Sequence, residues 1–475
     1  GHLQTASLLI NGFDVDFCRL RYEKYKNKES RIPTNVGVAS VVEDAWRRDL
    51  TINALYYNIN TNQVEDWTER GIADLLLQSI STPKDPLKTL LEDPIRILRA
   101  IRFAAQLSFD MNPALVRAAR DDRVRKALQY KVSRDAIGSA IDEMLGTRAR
   151  DPSRGIQLLM TTNLIDVVFP LGAEKQGDDG GDNIMESTTI GDILESMTMS
   201  TPTTMYRAGL ACLLRTQSLV TRIFLQSDFE WDISKRRYLW YAALFKPVYE
   251  MIPTQTTSNS KRGRRQGVFY QLLDDALRRP KSDIQSIETI LKGVDPIQTM
   301  LLEEAHRDAM QSALYSEAFP KDDAVSTTIH IHDFYGWGDF SEIRWSIYRA
   351  LKPIGPLWKE ALILALACSS HKTLADCVAQ YKDLALLIED RLQLGALLLD
   401  KPKPLLNGSQ IQKVLGQVDG RSFKHVTQAI EEWQIRNVFH DLGGIGNDER
   451  NRMESALIDY LVTTFPEYAN STSIT

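Results

Sequence analysis

Cysteine is scarce in this sequence. The four present, Cys18, Cys212, Cys368 and Cys377, are too scattered to frame a disulfide-stapled domain, and no CxxC pair suggests zinc. A reducing compartment is therefore the default. No run of eighteen apolar residues occurs either, so no membrane-spanning helix is expected. An excess of positive charge is also lacking, because the formal net charge is −5, and any nucleic-acid binding must use local basic patches. No internal repeat is evident. What remains is an ordinary globular composition, 43% hydrophobic and 25% charged over 475 residues. That length suits about two to four domains with substantial cores.

The most informative stretch is Thr89-Leu90-Leu91-Glu92-Asp93-Pro94-Ile95-Arg96-Ile97-Leu98-Arg99-Ala100-Ile101-Arg102-Phe103. Pro94 suits a first helical position, which predicts a helix beginning at Asp93 or Pro94 and running toward Leu107. Leu91, Ile95, Leu98 and Ile101 recur at helical spacing as a buried stripe. Glu92, Asp93, Arg96, Arg99 and Arg102 stand three or four apart on the other side, where a solvated ion-pair ladder would give the same pattern.

Two further motifs precede it. Trp46-Arg47-Arg48-Asp49-Leu50-Thr51-Ile52-Asn53-Ala54 is a basic-acidic pair opening an apolar, helical segment, and Asp66-Trp67-Thr68-Glu69-Arg70-Gly71-Ile72-Ala73-Asp74 is a turn after a strand. Arg48 has the chemistry to clamp a triphosphate, and Asp49 to accept from a ribose hydroxyl, with Asn53 one turn on facing the same way. An N-terminal helix charge pair would look alike. Nearer the start, Ser7 to Leu20 reads as a hairpin with Phe13, Val15 and Phe17 on one face and Asp14 and Asp16 on the other. Two carboxylates two apart on a strand can hold Mg²⁺ for phosphoryl transfer, and they also describe an exposed acidic face.

Together, in this order and at these distances, the RRD…NA, D…DL and ED..R motifs resemble those of the class II tRNA nucleotidyltransferases, the CCA-adding enzymes, of eukaryotic or fungal type, and of their poly(A) polymerase relatives. The resemblance implies an α+β, polymerase-beta-like nucleotidyltransferase head followed by all-α neck, body and tail. It implies template-independent addition of CCA to tRNA from CTP and ATP with Mg²⁺. Asp93 and Arg96 would then replace a nucleic-acid template, the carboxylate accepting from the exocyclic amine of cytosine or adenine and the guanidinium donating to the adjacent ring nitrogen. Uracil and guanine present a carbonyl and a protonated nitrogen there, leaving both contacts unpaired. Glu92 would orient Arg96, while Arg99 and Arg102 would contact phosphate or hold the helix in place.

In the resembled family two metal-binding Asp residues follow a Gly-Gly and Val-Arg-Asp signature, which does not occur in this sequence. The head is therefore expected to be N-terminally incomplete and this polypeptide to have little activity alone. Asp16 is expected as the third carboxylate, with Asp14 the weaker candidate. Glu69 stands where the family has a glycine, a departure expected to stiffen the hinge between head and helices. Ala136 and Ala140 replace charged residues that brace the template helix in relatives, so this chain must brace it differently.

The expected organisation is a head over 1–110 with a polar loop at 22–43, a neck over 111–170, a body over 171–400 with an insertion at 171–199 and a linker at 252–267, and a tail over 401–475. Lys235-Arg236-Arg237 and the Lys261 to Arg265 cluster are candidate tRNA contacts. His330, His332 and Asp333 look metal-like without further ligands. The Pro404-Leu405-Leu406-Asn407-Gly408 opening of the tail resembles that of fungal CCA-adding enzymes. The expected partners are tRNA, CTP and ATP, with no membrane, in a monomer or weak dimer. The alternatives are a CC-adding or A-adding specialist, a poly(A) polymerase, or an inactive RNA-binding scaffold; the compartment is mitochondrial, nuclear or cytoplasmic.

Overall fold

The computed structural model describes residues 5–24, 35–146, 150–171, 202–226, 232–251, 268–299, 338–369, 371–400, 402–416, 418–438 and 447–468. The 261–265 basic cluster, the linker, His330, His332, Asp333 and nearly all of the 171–199 insertion lie outside these residues. Two compact units form: Gly1–Ser218 with Asp228–Glu288, and Leu219–Ser227 with Thr289–Thr475.

Among the described residues the strands form four two-stranded sheets. β1 (Thr5–Ile10) and β2 (Phe13–Cys18) are antiparallel across Asn11-Gly12, both at positive φ, as a tight hairpin turn requires. The register sets Leu8 opposite Val15 and Ile10 opposite Phe13 on one face, and Leu9 opposite Asp14 and Ser7 opposite Asp16 on the other.

The stretch expected as a loop at 22–43 is more ordered at its ends. β3 (Arg21–Lys24) pairs with β4 (Asn35–Val38), and α1 runs Val41–Trp46. Gly37 permits the pairing, because a Cβ there would come within 2.5 Å of the Tyr22 ring. Ser40 and Glu43 form a capping box that starts α1 early. Arg47 therefore closes this helix, and Arg48 and Asp49 occupy the following turn. They do not open a helix as the sequence suggested. A short 3-10 turn (Ile52–Ala54) leads into β5 (Leu55–Asn58), paired with β6 (Gln63–Asp66).

The turn after β6 is held by Asp66, which accepts from the Thr68 amide and hydroxyl and from the Ile72 amide of α2 (Gly71–Leu76). Gly71 lies so close to the 3-10 turn that a Cβ would sit 2.8 Å from the Thr51 carbonyl oxygen. The buried Asp74 accepts from the Thr51 hydroxyl at 2.7 Å.

β7 (Ser79–Ile80) pairs in parallel with β8 (Asp110–Met111), and between them lie α3 (Pro86–Glu92) and α4 (Ile95–Leu107). Asp93 caps the end of α3 in extended geometry because the proline after it disfavours the helical region. Pro94 is the N-cap of α4, so the helix starts one or two residues later than expected. Its buried face is Ile97, Leu98, Ala100, Ile101, Ala104 and Ala105, with Ile95 and Leu91 only half-buried.

From Met111 to Pro170 the chain is helical, as expected: α5 (Pro113–Ala119), α6 (Asp122–Lys131), α7 (Arg134–Leu145), α8 (Pro152–Thr161) and α9 (Ile165–Val168). α4 packs on α7 and α8. Arg134 fastens the neck by donating to the Ala276, Val167 and Val168 carbonyls at 2.7, 2.9 and 2.6 Å.

In the second unit the fully buried Arg344 donates to the Leu392, Ile435 and Val438 carbonyls. Asn407 opens the helix Gly408–Leu415 with a capping box, and Leu405, Ile411, Leu415, Val426, Ile430, Leu457 and Leu461 form a local core.

Candidate nucleotide-binding cleft

A cleft of about 730 Å³ in the first unit is lined by Cys18, Arg21, Arg47, Arg48, Asp49, Asn53, Asp93, Ile95, Arg96, Arg99 and Phe103, among others. It brings together residues of the RRD…NA and ED..R motifs, which are far apart in the chain. Arg48, Asp49 and Asn53 come from the turn after α1, whereas Asp93, Arg96 and Arg99 come from the start of α4. Two direct contacts join these segments. Arg99 Nε donates to Asp49 Oδ2 at 2.6 Å, and Arg96 Nη2 donates to the Arg47 carbonyl oxygen at 3.0 Å.

Asp49 also accepts from Asn53 Nδ2 at 3.2 Å and from the Leu50 amide at 2.9 Å. Burial alone would raise its carboxyl, but the Arg99 guanidinium, Asn53 and the Leu50 amide hold it below the ordinary carboxylate range. It is an ionised acceptor at neutral pH.

The centre of the charge network is Asp44, a residue sequence reasoning overlooked. Its side chain is 1% exposed. Oδ1 accepts from the Arg21 amide at 3.0 Å and from Arg47 Nε and Nη2 at 3.1 and 2.6 Å. Oδ2 accepts from Arg48 Nε and Nη2 at 3.1 and 3.0 Å and from the Tyr56 hydroxyl at 2.6 Å. Burial would raise this carboxyl, yet the Arg21 amide, Tyr56 and Arg47 bring it down to about 2. Tyr56 is pushed up to about 12 by burial and by its bond to Asp44. Arg48 stacks over the Tyr56 ring at 5.0 Å and donates from Nη1 to the Asn53 carbonyl at 3.1 Å. Arg47 and Arg48 lie three and four residues beyond Asp44, a helical ion-pair spacing legible in the sequence.

The remaining expected site residues fall elsewhere. Glu92 ends α3 and its side chain makes no hydrogen bond or ion pair among the described residues, so the Arg47 carbonyl, and not Glu92, holds Arg96. Arg102 lies outside the cleft wall, pairs with Glu143 of α7 and stacks over Phe103 at 4.8 Å. Arg102 thus ties α4 to α7 without charges at Ala136 and Ala140, while Lys131 holds the end of α3 by donating to the Leu91 carbonyl at 3.1 Å. Asp14 and Asp16 share a strand face with the cleft-lining Cys18 but do not reach the cleft wall, and Asp16 accepts from the Ser7 hydroxyl at 2.5 Å. No group of three metal-ligating side chains occurs among the described residues. Arg237 of the candidate basic cluster is taken up by Asp142 and Asp283, at 3.0 and 3.2 Å.

Residues 1–81, which carry the hairpin and the basic-acidic turn of this cleft, match the family model described as the poly A polymerase head domain. The relatives narrow this. The chain is 44% identical over 176 residues to tRNA nucleotidyltransferase cca2 of Schizosaccharomyces pombe, covering 37% of this chain and 36% of that protein. It is 40% identical over 168 residues to the mitochondrial CCA tRNA nucleotidyltransferase of Saccharomyces cerevisiae, covering 35% and 30%. The chain thus spans about a third of the length of the curated relatives it matches. A solved CCA-adding enzyme in an apo form superposes with a TM-score of 0.50 at 17% identity over 95% of this chain and 79% of that one, a likeness of fold.

Proposed function

We propose that this protein belongs to an enzyme that adds CCA to the 3′ end of tRNA from CTP and ATP, the nucleobase being selected by Asp93 and Arg96. The observation that carries the reading is that Asp93, Arg96, Arg48 and Asp49 line one cleft. Such a cleft offers a carboxylate and guanidinium for a base edge beside a second pair suited to ribose and phosphates. Similarity to proteins named for CCA addition supports the choice of reaction. In this reading Arg48 binds the triphosphate, Asp49 accepts from the ribose hydroxyl with Asn53 and Arg99 fixing its rotamer, and Ile95 and Phe103 supply apolar walls.

Mg²⁺ belongs to the proposal as the ion that neutralises triphosphate charge, with Asp16 and then Asp14 as its ligands on this chain. Two carboxylates on one strand that stop short of the cleft wall are a partial ligand set for such an ion. No helix among the described residues is long and apolar enough to cross a membrane. Mitochondrial relatives support a mitochondrial location beside the nuclear or cytoplasmic ones.

The test is nucleotide incorporation by the full-length gene product into tRNA lacking CCA, with CTP and ATP supplied separately and together. Ordered addition of C, C and A, abolished by Asp93→Ala or Arg96→Ala, is expected. C alone or A alone would identify a specialist, long A tails a polymerase, and tRNA binding without incorporation a scaffold.

A further inference from the structure

We propose that Asp44 is a positioning residue for nucleobase choice: it fixes the Arg47-Arg48 turn, whose Arg47 carbonyl oxygen in turn holds the base-reading Arg96. The inference rests on the reading of Arg96 given above and extends it to a residue that lies one contact further from the base.

The geometry divides the work between the two carboxylate oxygens. Oδ1 gathers Arg47 and the Arg21 amide, and Oδ2 gathers Arg48 and Tyr56. Arg47 also donates from Nε to the Arg21 carbonyl at 2.7 Å, so its side chain is held from two sides. Its main chain is thereby fixed at the point where the carbonyl accepts from Arg96 Nη2 at 3.0 Å. One buried carboxylate thus sets both the triphosphate-side guanidinium, directly, and the base-side guanidinium, through one peptide oxygen.

An amide cannot reproduce this. In Asp44→Asn one acceptor oxygen becomes an NH₂ facing guanidinium donors, and either the Arg47 or the Arg48 half of the turn is released. If Arg96 is free to swing, the unpaired contact that penalises uracil and guanine is relieved, and discrimination falls even where binding persists. A carboxylate that merely caps the end of α1 would weaken the fold and leave the ratio between nucleotides alone.

The experiment measures dissociation constants of this chain for CTP, UTP, ATP and GTP by titration calorimetry, for the wild type, Asp44→Asn, Tyr56→Phe, Arg96→Ala and the Asp44→Asn/Arg96→Ala double variant. Tyr56→Phe keeps the carboxylate and removes one donor, so it serves if Asp44→Asn fails to fold. The expected result is a CTP-over-UTP and ATP-over-GTP preference reduced about tenfold by Asp44→Asn and roughly threefold by Tyr56→Phe. The double variant is expected to show the same ratio as Arg96→Ala alone, because the effect runs through that residue. Ratios unchanged in Asp44→Asn or Tyr56→Phe, or additive effects in the double variant, would overturn the positioning role while leaving the base-reading of Arg96 standing. A wild type with no preference between CTP and UTP would overturn that reading first, and this inference with it.

Discussion

Asp44 shows how far a single side chain can depart from what its neighbours in sequence suggest. Folded, its carboxyl stays ionised down to about pH 2, against an ordinary value of 3.8. A depressed carboxyl stabilises the fold above the unfolded value and loses that contribution as pH falls through the folded one. Urea midpoints of the wild type and Asp44→Asn are therefore expected to differ most above pH 4 and to converge toward pH 2; a gap independent of pH would refute the ionised pairing. Glu69 is a second residue governed by its surroundings. It sits at φ 56°, in the left-handed region, where the resembled family has glycine. Relief of roughly 1–2 kcal/mol of backbone strain, less about 0.5–1 kcal/mol of added unfolded-state entropy, predicts that Glu69→Gly raises stability by about 0.5–1 kcal/mol. Thermal unfolding of the two proteins decides this, and a lower melting temperature for the glycine variant would count against it.

The elements around the cleft depend on close backbone approach more than on charge. α4 carries Arg96 and Arg99 and packs against α7, to which the Arg102–Glu143 pair ties it. α7 itself is seated by Gly138, where a Cβ would lie 1.8 Å from the Leu277 carbonyl oxygen. Backbone cannot yield as a side-chain tip can, so Gly138→Ala is expected to cost about 2 kcal/mol or more in denaturant unfolding. A neutral substitution would mean that α7 can shift without penalty. The half-exposed Arg102–Glu143 pair is a weaker tie, and Glu143→Ala is expected to cost about 1 kcal/mol or less. The order of these two effects is the informative comparison.

At the scale of the whole molecule, the chain divides into two compact units, and the cleft lies within the first. Arg344 in the second unit is fully buried, its guanidinium lowered to about 10 by burial and donating from Nε and Nη1 to three carbonyl oxygens. Arg344→Ala would leave those carbonyls without their donor, at a cost of about 3 kcal/mol or more. Because every cleft residue belongs to the first unit, CTP binding at low temperature is expected to survive this variant while its melting temperature falls. Loss of both together would show that the units do not unfold independently.

The ED..R spacing, the proline after Asp93 and the Asn11-Gly12 turn are local signals, and from them the hairpin, the site helix and most candidate residues were legible in the sequence. The helical run from Met111 to Pro170 was legible for the same reason, since caps and periodicity act within a few residues. Tertiary structure decided which local reading prevailed. Arg47 turned out to close a helix, with Arg48 and Asp49 in the turn after it, because Ser40 and Glu43 cap that helix earlier. Glu92 makes no side-chain bond to Arg96, and the peptide oxygen of Arg47, 49 residues upstream of Arg96, accepts from it instead. Asp44 acquired its importance only when β3, α1 and β5 came together around it. Contacts of this kind join segments whose separation in sequence carries no periodic signal, and only the packed chain specifies them.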